Sequence, residues 1–226
     1  MIRSPVLDGA GFRHGFGARG DDEAALPEAL GARAERMFRA RQVHGREAHV
    51  VSADDVPGSV ATIEADALVA GGEDAVGVVT ADCLPIFLAD QESGRVAAVH
   101  AGWRGVESGI LHAAIDRLVA LGADPRRLLA AIGPHIRVCC FEVGEDVALR
   151  LQAVSCAVDR SRPKPRVDLR RGVLAGLAAR GVAWVDDVGG CTHCEPRRFH
   201  SYRRQGPRAG RQVSTVVARS GVRRTA

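Results

Sequence analysis

The chain has 226 residues, a length that suits one large domain or two small ones. Apolar residues make up 46% and charged residues 26%, which argues against a disordered or fibrous protein. No apolar run approaches the roughly 18 residues that cross a bilayer, and no signal-peptide core follows the first residues. We therefore expect a soluble, cytoplasmic protein whose six cysteines stay reduced.

Positive charge is distributed unevenly along the chain. Of its 31 basic residues only Lys164 is a lysine, and the last 30 residues contain nine arginines and no acidic residue. A GC-rich genome would produce this bias. Phosphate recognition would produce it too, because guanidinium groups bind oxyanions through two hydrogen bonds. Composition alone leaves both explanations open.

The first forty residues predict a glycine-rich turn followed by a helix. Residues 15–20 match G-x-G-x-x-G, but no buried strand precedes them, which favours a turn over a dinucleotide site. A helix is predicted over residues 22–39 from apolar residues at helical spacing, namely Leu26, Leu30, Ala34 and Met37.

The rest of the chain alternates between apolar strands and helices. Short apolar runs predict strands at 75–79, 86–88, 96–99, 128–132, 183–188 and 213–218. Amphipathic spacing predicts helices around 111–121, at 144–154 and at 169–179, the last one capped by Asp168. The pattern indicates an α+β fold of α/β type, with residues 1–226 forming a single catalytic domain around a mixed β-sheet with flanking helices.

Three segments place metal-binding or nucleophilic side chains where predicted elements end. They contain His44, Cys83 and His100, each surrounded by turn residues. Taken singly, each side chain is better explained by packing, because cysteine and histidine are often buried for structural reasons.

Together these segments resemble the polyphenol oxidase (laccase domain) family. The resemblance runs from about His14 to Val217 and rests on motifs in a fixed order, at residues 41–45, 66–69, 81–85, 100–105, 131–136, 139–144, 191–192 and 201–204. Two departures occur. Phe199-His200-Ser201 stands where the family commonly has Phe-Phe-Ser, and Ala18-Arg19 stands where Thr-Arg or a similar pair is usual.

The resemblance implies a purine nucleoside phosphorylase with adenosine deaminase side activity that binds zinc through His44, Cys83 and His100. Related bacterial proteins are also called peptidoglycan editing factors. Two imidazoles and a thiolate suit zinc, and three protein ligands leave a fourth position for water or substrate. Attack of an acidified water on C6 of adenine would give deamination. Asp82 could move the proton, although a carboxylate at that place could equally cap a turn.

Phosphorolysis also requires a site for inorganic phosphate beside the purine nucleoside, which would be adenosine, inosine, guanosine or methylthioadenosine. Guanidinium groups near the metal could bind the anion and offset its charge. The general acid at purine N7 could be Asp82 or His200. The candidate substrate and phosphate contacts are Arg19, Arg41, Gln42, Arg104, His200, Arg203 and Arg204.

Three other functions remain open. Copper could occupy the same ligands, but none of the eight histidines forms the His-x-His pairs of a multicopper oxidase. A cysteine hydrolase acting in peptidoglycan precursor editing could use Cys83 as nucleophile and His100 as base. A nucleic-acid-binding module could use the C-terminal arginines, yet nine aromatic residues leave little for base stacking, so no specific nucleic acid is expected. The oligomeric state stays open.

Four further cysteines raise the question of a second metal site. Cys191 and Cys194 form a C-x-x-C unit, whereas Cys139 and Cys140 are adjacent. Because adjacent cysteines do not normally chelate one ion comfortably, we expect a buried thiol cluster near the active site instead.

Overall fold

The computed structural model describes residues 1–221. Its strands are β1 (His14–Gly15), β2 (Met37–Phe38), β3 (Ala48–Val50), β4 (Ala67–Ala70), β5 (Ala75–Thr80), β6 (Leu84–Asp90), β7 (Val96–Ala101), β8 (Leu128–Ile132), β9 (Ala157–Asp159), β10 (Arg166–Asp168), β11 (Trp184–Asp187) and β12 (Gln212–Val217). Its α-helices are α1 (Pro5–Gly9), α2 (Leu26–Ala29), α3 (Pro57–Val60), α4 (Trp103–Ser108), α5 (Ile110–Ala120), α6 (Glu145–Ala153), α7 (Leu169–Ala179) and α8 (Tyr202–Gln205).

A mixed six-stranded sheet forms the centre of the molecule, in the order β11-β8-β6-β7-β4-β3. The central strands β6 and β7 are antiparallel and buried along their whole length, while β3 pairs with β4, and β11 with β8, in parallel. A strand that is covered on both faces needs apolar side chains on both, which explains why β6 and β7 appear in the sequence as continuous apolar runs.

The two faces of this sheet have different partners. From β6, Ile86 and Leu88 join the apolar core that α5, α6 and α7 cover. Phe87, which points the other way, joins a second core beneath the four-stranded sheet β1-β12-β5-β2 and stacks on Phe16 with ring centroids 4.3 Å apart. The alternation of strand side chains therefore builds three layers: sheet, sheet and helices.

The structure confirms the mixed α/β fold and most of the predicted elements. Each of the six predicted strands overlaps an observed one, and helices α5, α6 and α7 lie where the apolar periodicity placed them. Asp168 caps α7 through its side chain, as predicted. No helix within residues 1–221 is long and apolar enough to cross a bilayer.

The helix predicted over residues 22–39 is wrong. This segment contains only the one-turn helix α2, short 3-10 turns and strand β2. Gly31 has a φ of +57°, which ends the helical path, and Met37 and Phe38 then pair with β5. The apolar spacing at the start of the chain therefore serves separate short elements that cover the edge of a sheet.

The glycine-rich run at 15–20 begins in a strand and ends in a turn. Gly15 lies in β1, and a Cβ atom at Gly17 would come within 2.4 Å of the Val213 carbonyl oxygen, so close strand packing accounts for Gly17. The predicted turn is present at residues 19–20, where Gly20 has a φ of +87°.

Candidate metal centre

Three chain segments bring His44, Cys83 and His100 together, and we call these residues the triad. His44 lies in the loop between β2 and β3. Cys83 directly precedes β6, and His100 is the second-to-last residue of β7. Their ligand atoms all lie within 4.8 Å of one another, with Cys83 Sγ 3.9 Å from His44 Nε2. Ligands of one tetrahedral zinc ion would have their sulfur and nitrogen about 3.6 Å apart, given the usual bond lengths.

A buried carboxylate orients the triad. Asp66 Oδ1 lies 2.7 Å from His100 Nδ1 and accepts a hydrogen bond from the His44 backbone N–H at 3.0 Å. Its other oxygen accepts from the backbone N–H groups of Val43 and Gly45 at 3.2 and 2.7 Å. With Nδ1 donating to Asp66, His100 has Nε2 available for a ligand, the arrangement that metal-bound histidines usually show. Sequence reasoning gave Asp66 no role.

The backbone around the triad is held in an unusual conformation. His44 and Asp82 have φ values of 61° and 92°, in the left-handed region that non-glycine residues rarely adopt. A Cβ atom at Gly102 would lie 2.9 Å from His44 Cδ2 and 3.1 Å from Cys83 Sγ. Strain of this kind persists where the surrounding structure fixes a functional geometry. Glycine at 102 leaves the space in which the side chains of His44 and Cys83 converge.

The charges of the triad are mutually adjusted. Burial opposes ionisation of Cys83, but hydrogen bonds from His100 and His44 lower the pKa of its thiol to about 7. Burial likewise opposes protonation of His100, and hydrogen bonds to Asp66 and Cys83 raise its pKa to about 9. The site therefore favours a thiolate, the form in which cysteine binds a metal or acts as a nucleophile. Two imidazoles and one thiolate fit a metal ion such as zinc.

The triad opens into a cavity of about 840 Å³, within the size range of sites for small ligands. Aromatic side chains in its wall are Trp103, Phe141 and Tyr202, and its basic side chains are Arg104, Arg203 and Arg211. The Arg104 guanidinium lies over the Trp103 ring at 4.2 Å from the centroid. The cavity thus combines a metal-binding floor with flat apolar surfaces and positive charge.

Three of the seven predicted substrate contacts lie in the wall of this cavity. Arg104, Arg203 and Gln42 are part of the wall, and the Arg203 guanidinium also donates to the Cys140 carbonyl oxygen at 3.3 Å. The Gln42 amide, however, exchanges two hydrogen bonds with the backbone of Val79, at 2.8 and 2.7 Å. Gln42 therefore braces the loop that carries His44. Arg211 lines the cavity as well and was absent from the prediction.

The other four predicted contacts lie outside the cavity wall. Arg41 forms an exposed ion pair with Glu64 at 2.7 Å. Arg204 donates to the carbonyl oxygens of Thr192 and His193, at 2.8 and 2.7 Å, and to a third carbonyl, so it fastens one loop to the next. Neighbouring arginines in a sequence motif can thus have different tasks.

Arg19 and His200 lie beside each other, with 3.4 Å between Arg19 Nη2 and His200 Nδ1. Partial burial lowers the pKa of His200, and the nearby guanidinium groups of Arg19, Arg204 and Arg211 lower it further. A neutral imidazole is a poor proton donor, and His200 lies outside the cavity wall, so its role as the general acid stays a prediction.

Asp82 is tied to two other segments of the cavity wall. Its Oδ1 accepts a hydrogen bond from Thr192 Oγ1, and its Oδ2 accepts one from the backbone N–H of Arg203, both at 2.6 Å. These two contacts join distant segments of the chain and do not cap the turn that contains Asp82. Its role in proton transfer stays a prediction.

The remaining cysteine cluster differs from expectation in one respect. The sulfurs of Cys139, Cys140, Cys191 and Cys194 do converge, all within 4.8 Å of one another. The expected burial is wrong, because Cys139 and Cys194 are exposed. Both lie in turns at the surface beside the cavity wall.

Comparison with known proteins finds relatives that match most of the chain. A Mycobacterium tuberculosis protein named purine nucleoside phosphorylase Rv2149c is 36% identical over 207 residues, which cover 87% of this chain and 81% of the relative. A prokaryotic protein named adenosine deaminase RL5 is 35% identical over 210 residues, covering 87% of this chain and 80% of the relative. The crystal structure of Bacillus licheniformis YfiH shares the fold, with a TM-score of 0.83, 22% identity, and coverage of 91% of this chain and 92% of that one.

A family model described as multi-copper polyphenol oxidoreductase laccase matches residues 21–219. This match contains the whole triad and the cavity wall, and it confirms the resemblance that the sequence motifs carry. The chain belongs to the multi-copper polyphenol oxidoreductase laccase family.

Proposed function

We propose that this protein is a zinc-dependent purine nucleoside phosphorylase with adenosine deaminase side activity at the same site. Its substrates would be adenosine, inosine, guanosine or methylthioadenosine, together with inorganic phosphate. The observation that carries the proposal is the triad at the floor of a cavity whose wall also contains three arginines and three aromatic side chains. The names of the two sequence relatives agree with both activities.

His44, Cys83 and His100 would hold the zinc ion. When bound, zinc would supply Lewis-acid polarisation and a water molecule of lowered pKa. Asp66 fixes the His100 tautomer and pins the His44 backbone, so the ligand set needs little reorganisation. Asp82 lies next to this set in the cavity wall, which keeps it within the region where a proton must move.

Arginine side chains would bind the phosphate. Arg104, Arg203 and Arg211 supply three permanent positive charges around one cavity. Hydrolysis by water alone gives no reason to gather guanidinium groups there, whereas a phosphate nucleophile requires its charge to be offset. The Arg203 backbone is fixed by its hydrogen bond to Asp82, so its side chain starts from a defined position.

Aromatic side chains would bind the purine. Phe141 is nearly buried, whereas Tyr202 is 52% exposed and can lie over a ligand that enters from solvent. Flat apolar surfaces beside a few polar groups are typical of sites for heteroaromatic ligands. The cavity volume is large enough for a nucleoside and a phosphate together.

Phenol oxidation by a copper cluster receives less support, despite the family name. Among the described residues, which include all eight histidines, only one group of potential metal ligands contains histidine, and it has two of them. A multicopper cluster needs several more. Copper could still replace zinc in the triad, because copper(II) generally binds such ligands more tightly.

A cysteine hydrolase is the second candidate. Cys83, His100 and Asp66 form a chain of thiol, imidazole and buried carboxylate, which is the arrangement of a nucleophile, its base and the group that orients the base. Treatment with a chelator separates the two functions. A thiol-based hydrolase keeps its activity after metal removal and loses it on alkylation of Cys83.

The experiment is a pair of variants assayed for two reactions. Cys83→Ala should lower inosine phosphorolysis and adenosine deamination together, each by about 100-fold or more, because both depend on one metal site. The matched control is Cys156→Ala, which replaces a buried cysteine in the core between the sheet and the helices. Phosphorolysis that is unchanged in Cys83→Ala would contradict the proposal.

A further inference from the structure

The four cysteines outside the triad come from two neighbouring surface turns. Cys139 and Cys140 lie in a tight turn closed by a hydrogen bond from the Cys140 N–H to the Arg137 carbonyl oxygen. Cys191 and Cys194 enclose a second turn, in which the Glu195 N–H donates to the Cys191 carbonyl oxygen. Because each turn folds the backbone back on itself, two cysteines from each can point to one place. We call these four residues the cysteine quartet.

Backbone pairing holds the two turns side by side. His135 and Cys191 form a parallel bridge, and the Thr192 N–H donates to the His135 carbonyl oxygen at 3.1 Å. The juxtaposition of the cysteine quartet therefore follows from the fold and does not depend on a single flexible side chain. Cys139 and Cys140 are adjacent in the sequence, which argued against both of them binding one ion. The turn that contains them nevertheless brings both sulfurs close to those of Cys191 and Cys194.

The sulfur positions match a tetrahedral site. Cys139 Sγ lies 3.7 Å from Cys191 Sγ and 3.7 Å from Cys194 Sγ, and Cys140 Sγ lies 3.2 Å from Cys194 Sγ. Four thiolates at the usual zinc–sulfur distance of about 2.3 Å have their sulfurs about 3.8 Å apart. All four cysteines are free thiols in the structure. Soft sulfur ligands in tetrahedral arrangement favour zinc or iron–sulfur centres.

The surroundings suit the charge of such a site. Four thiolates with one divalent ion carry a net charge of −2, and guanidinium groups lie on the carbonyl groups of both turns. Arg166 donates to the Cys139 carbonyl oxygen, Arg203 to that of Cys140, and Arg204 to those of Thr192 and His193. These guanidinium groups place positive charge beside both turns, which offsets part of the negative charge of a four-thiolate site.

We propose that the cysteine quartet binds one zinc ion, separate from the metal of the triad. With four protein ligands the site is closed, so its role is structural. It braces the cavity wall, because Phe141 follows Cys140 directly and Thr192, beside Cys191, donates to Asp82. The proposal is independent of the proposed function, since it requires no nucleoside chemistry.

Metal stoichiometry tests the proposal on protein purified under reducing conditions without chelators. Elemental analysis should give one zinc ion more per chain in the wild type than in the double variant Cys139→Ser/Cys194→Ser, which changes the two exposed ligands. Cys156→Ser, a cysteine outside both groups, should keep the wild-type zinc content. One zinc in the wild type that is retained by the double variant would overturn the proposal, as would iron in place of zinc.

A second readout keeps the test valid if the double variant does not fold. Cys83→Ala removes the only thiol of the triad, so after cobalt substitution any intense thiolate-to-cobalt charge-transfer band must come from the cysteine quartet. We expect that band, with the tetrahedral d–d absorption of four sulfur ligands. Cobalt-loaded Cys83→Ala without the band, or a disulfide within the quartet of freshly reduced protein, would refute the site.

Discussion

Replacing Asp66 by asparagine tests whether one buried carboxylate organises the triad. The side chain of Asp66 is completely buried and accepts four hydrogen bonds, two on each oxygen. Asparagine has nearly the same shape but only one acceptor oxygen. In either orientation its amide nitrogen must face two groups that donate to the carboxylate in the wild type. The variant therefore removes charge and half of the acceptor capacity without changing volume.

The expected magnitudes follow from these contacts. A hydrogen bond to a charged group contributes about 1.5–3 kcal/mol. Because the asparagine amide nitrogen leaves two N–H groups without their acceptor, the free energy of unfolding should fall by about 3 kcal/mol or more. Outer partners of metal-binding histidines typically change metal affinity by about 10- to 100-fold. We expect Asp66→Asn to weaken zinc binding at the triad by that factor.

Competition against a chromophoric zinc chelator measures the affinity, and chemical denaturation measures the stability. Asp55→Asn is the matched control, because Asp55 also pairs with a histidine, His49 at 3.3 Å, but on a distant turn. The control should leave zinc affinity at the triad unchanged. If Asp66→Asn and Asp55→Asn bind zinc equally tightly, the carboxylate does not organise the site and the reasoning is refuted.

Three further predictions concern other contacts. Burial lowers the pKa of His14, whose Nε2 accepts from the Ser4 N–H, so the free energy of unfolding should fall as pH decreases below about 6.5, and less steeply in His14→Gln. Gly102→Ala should weaken zinc binding by at least about 10-fold, because the new methyl group meets two triad side chains. Arg204→Ala should lower the free energy of unfolding by about 3 kcal/mol through lost carbonyl contacts, whereas Arg203→Ala should mainly raise the KM for phosphate.

Each of these has its own control. For the first prediction the wild type is the reference, and a wild-type slope in His14→Gln would contradict it. Gly9→Ala adds a methyl group with no atom within 4 Å, so it should leave zinc affinity unchanged. Arg203 and Arg204 serve as controls for each other: a phosphate KM that rises only in Arg204→Ala would reverse their assignment.

The strands were predictable from the sequence because their signals are local, whereas the triad was grouped as one metal site only through the family resemblance. β6 and β7 are buried on both faces, so they appear in the sequence as continuous apolar runs. Functional side chains are often found where such strands begin or end. Cys83 and His100 stand at those ends. Their chemical types, like that of His44, are those that metals prefer, but only the family resemblance joined the three residues as ligands of one ion.

Features that depend on contacts between distant segments were not predictable in this way. Asp66 looks like any polar residue before a strand, and only the fold brings His100 and the loop of His44 to it. The sequence pair 203–204 also gives no sign that Arg203 lines the cavity while Arg204 fastens one loop to the next. Helical spacing at 22–39 failed because Gly31 turns the chain into a sheet edge.

Product analysis of inosine turnover with and without phosphate tests the central claim most directly. Zinc-loaded protein is incubated with inosine, and the products are separated by chromatography. The proposed function predicts hypoxanthine and ribose 1-phosphate when phosphate is present and no base release when it is absent, while adenosine is deaminated slowly under both conditions. Base release that is equal without phosphate and yields free ribose would contradict phosphorolysis at this site.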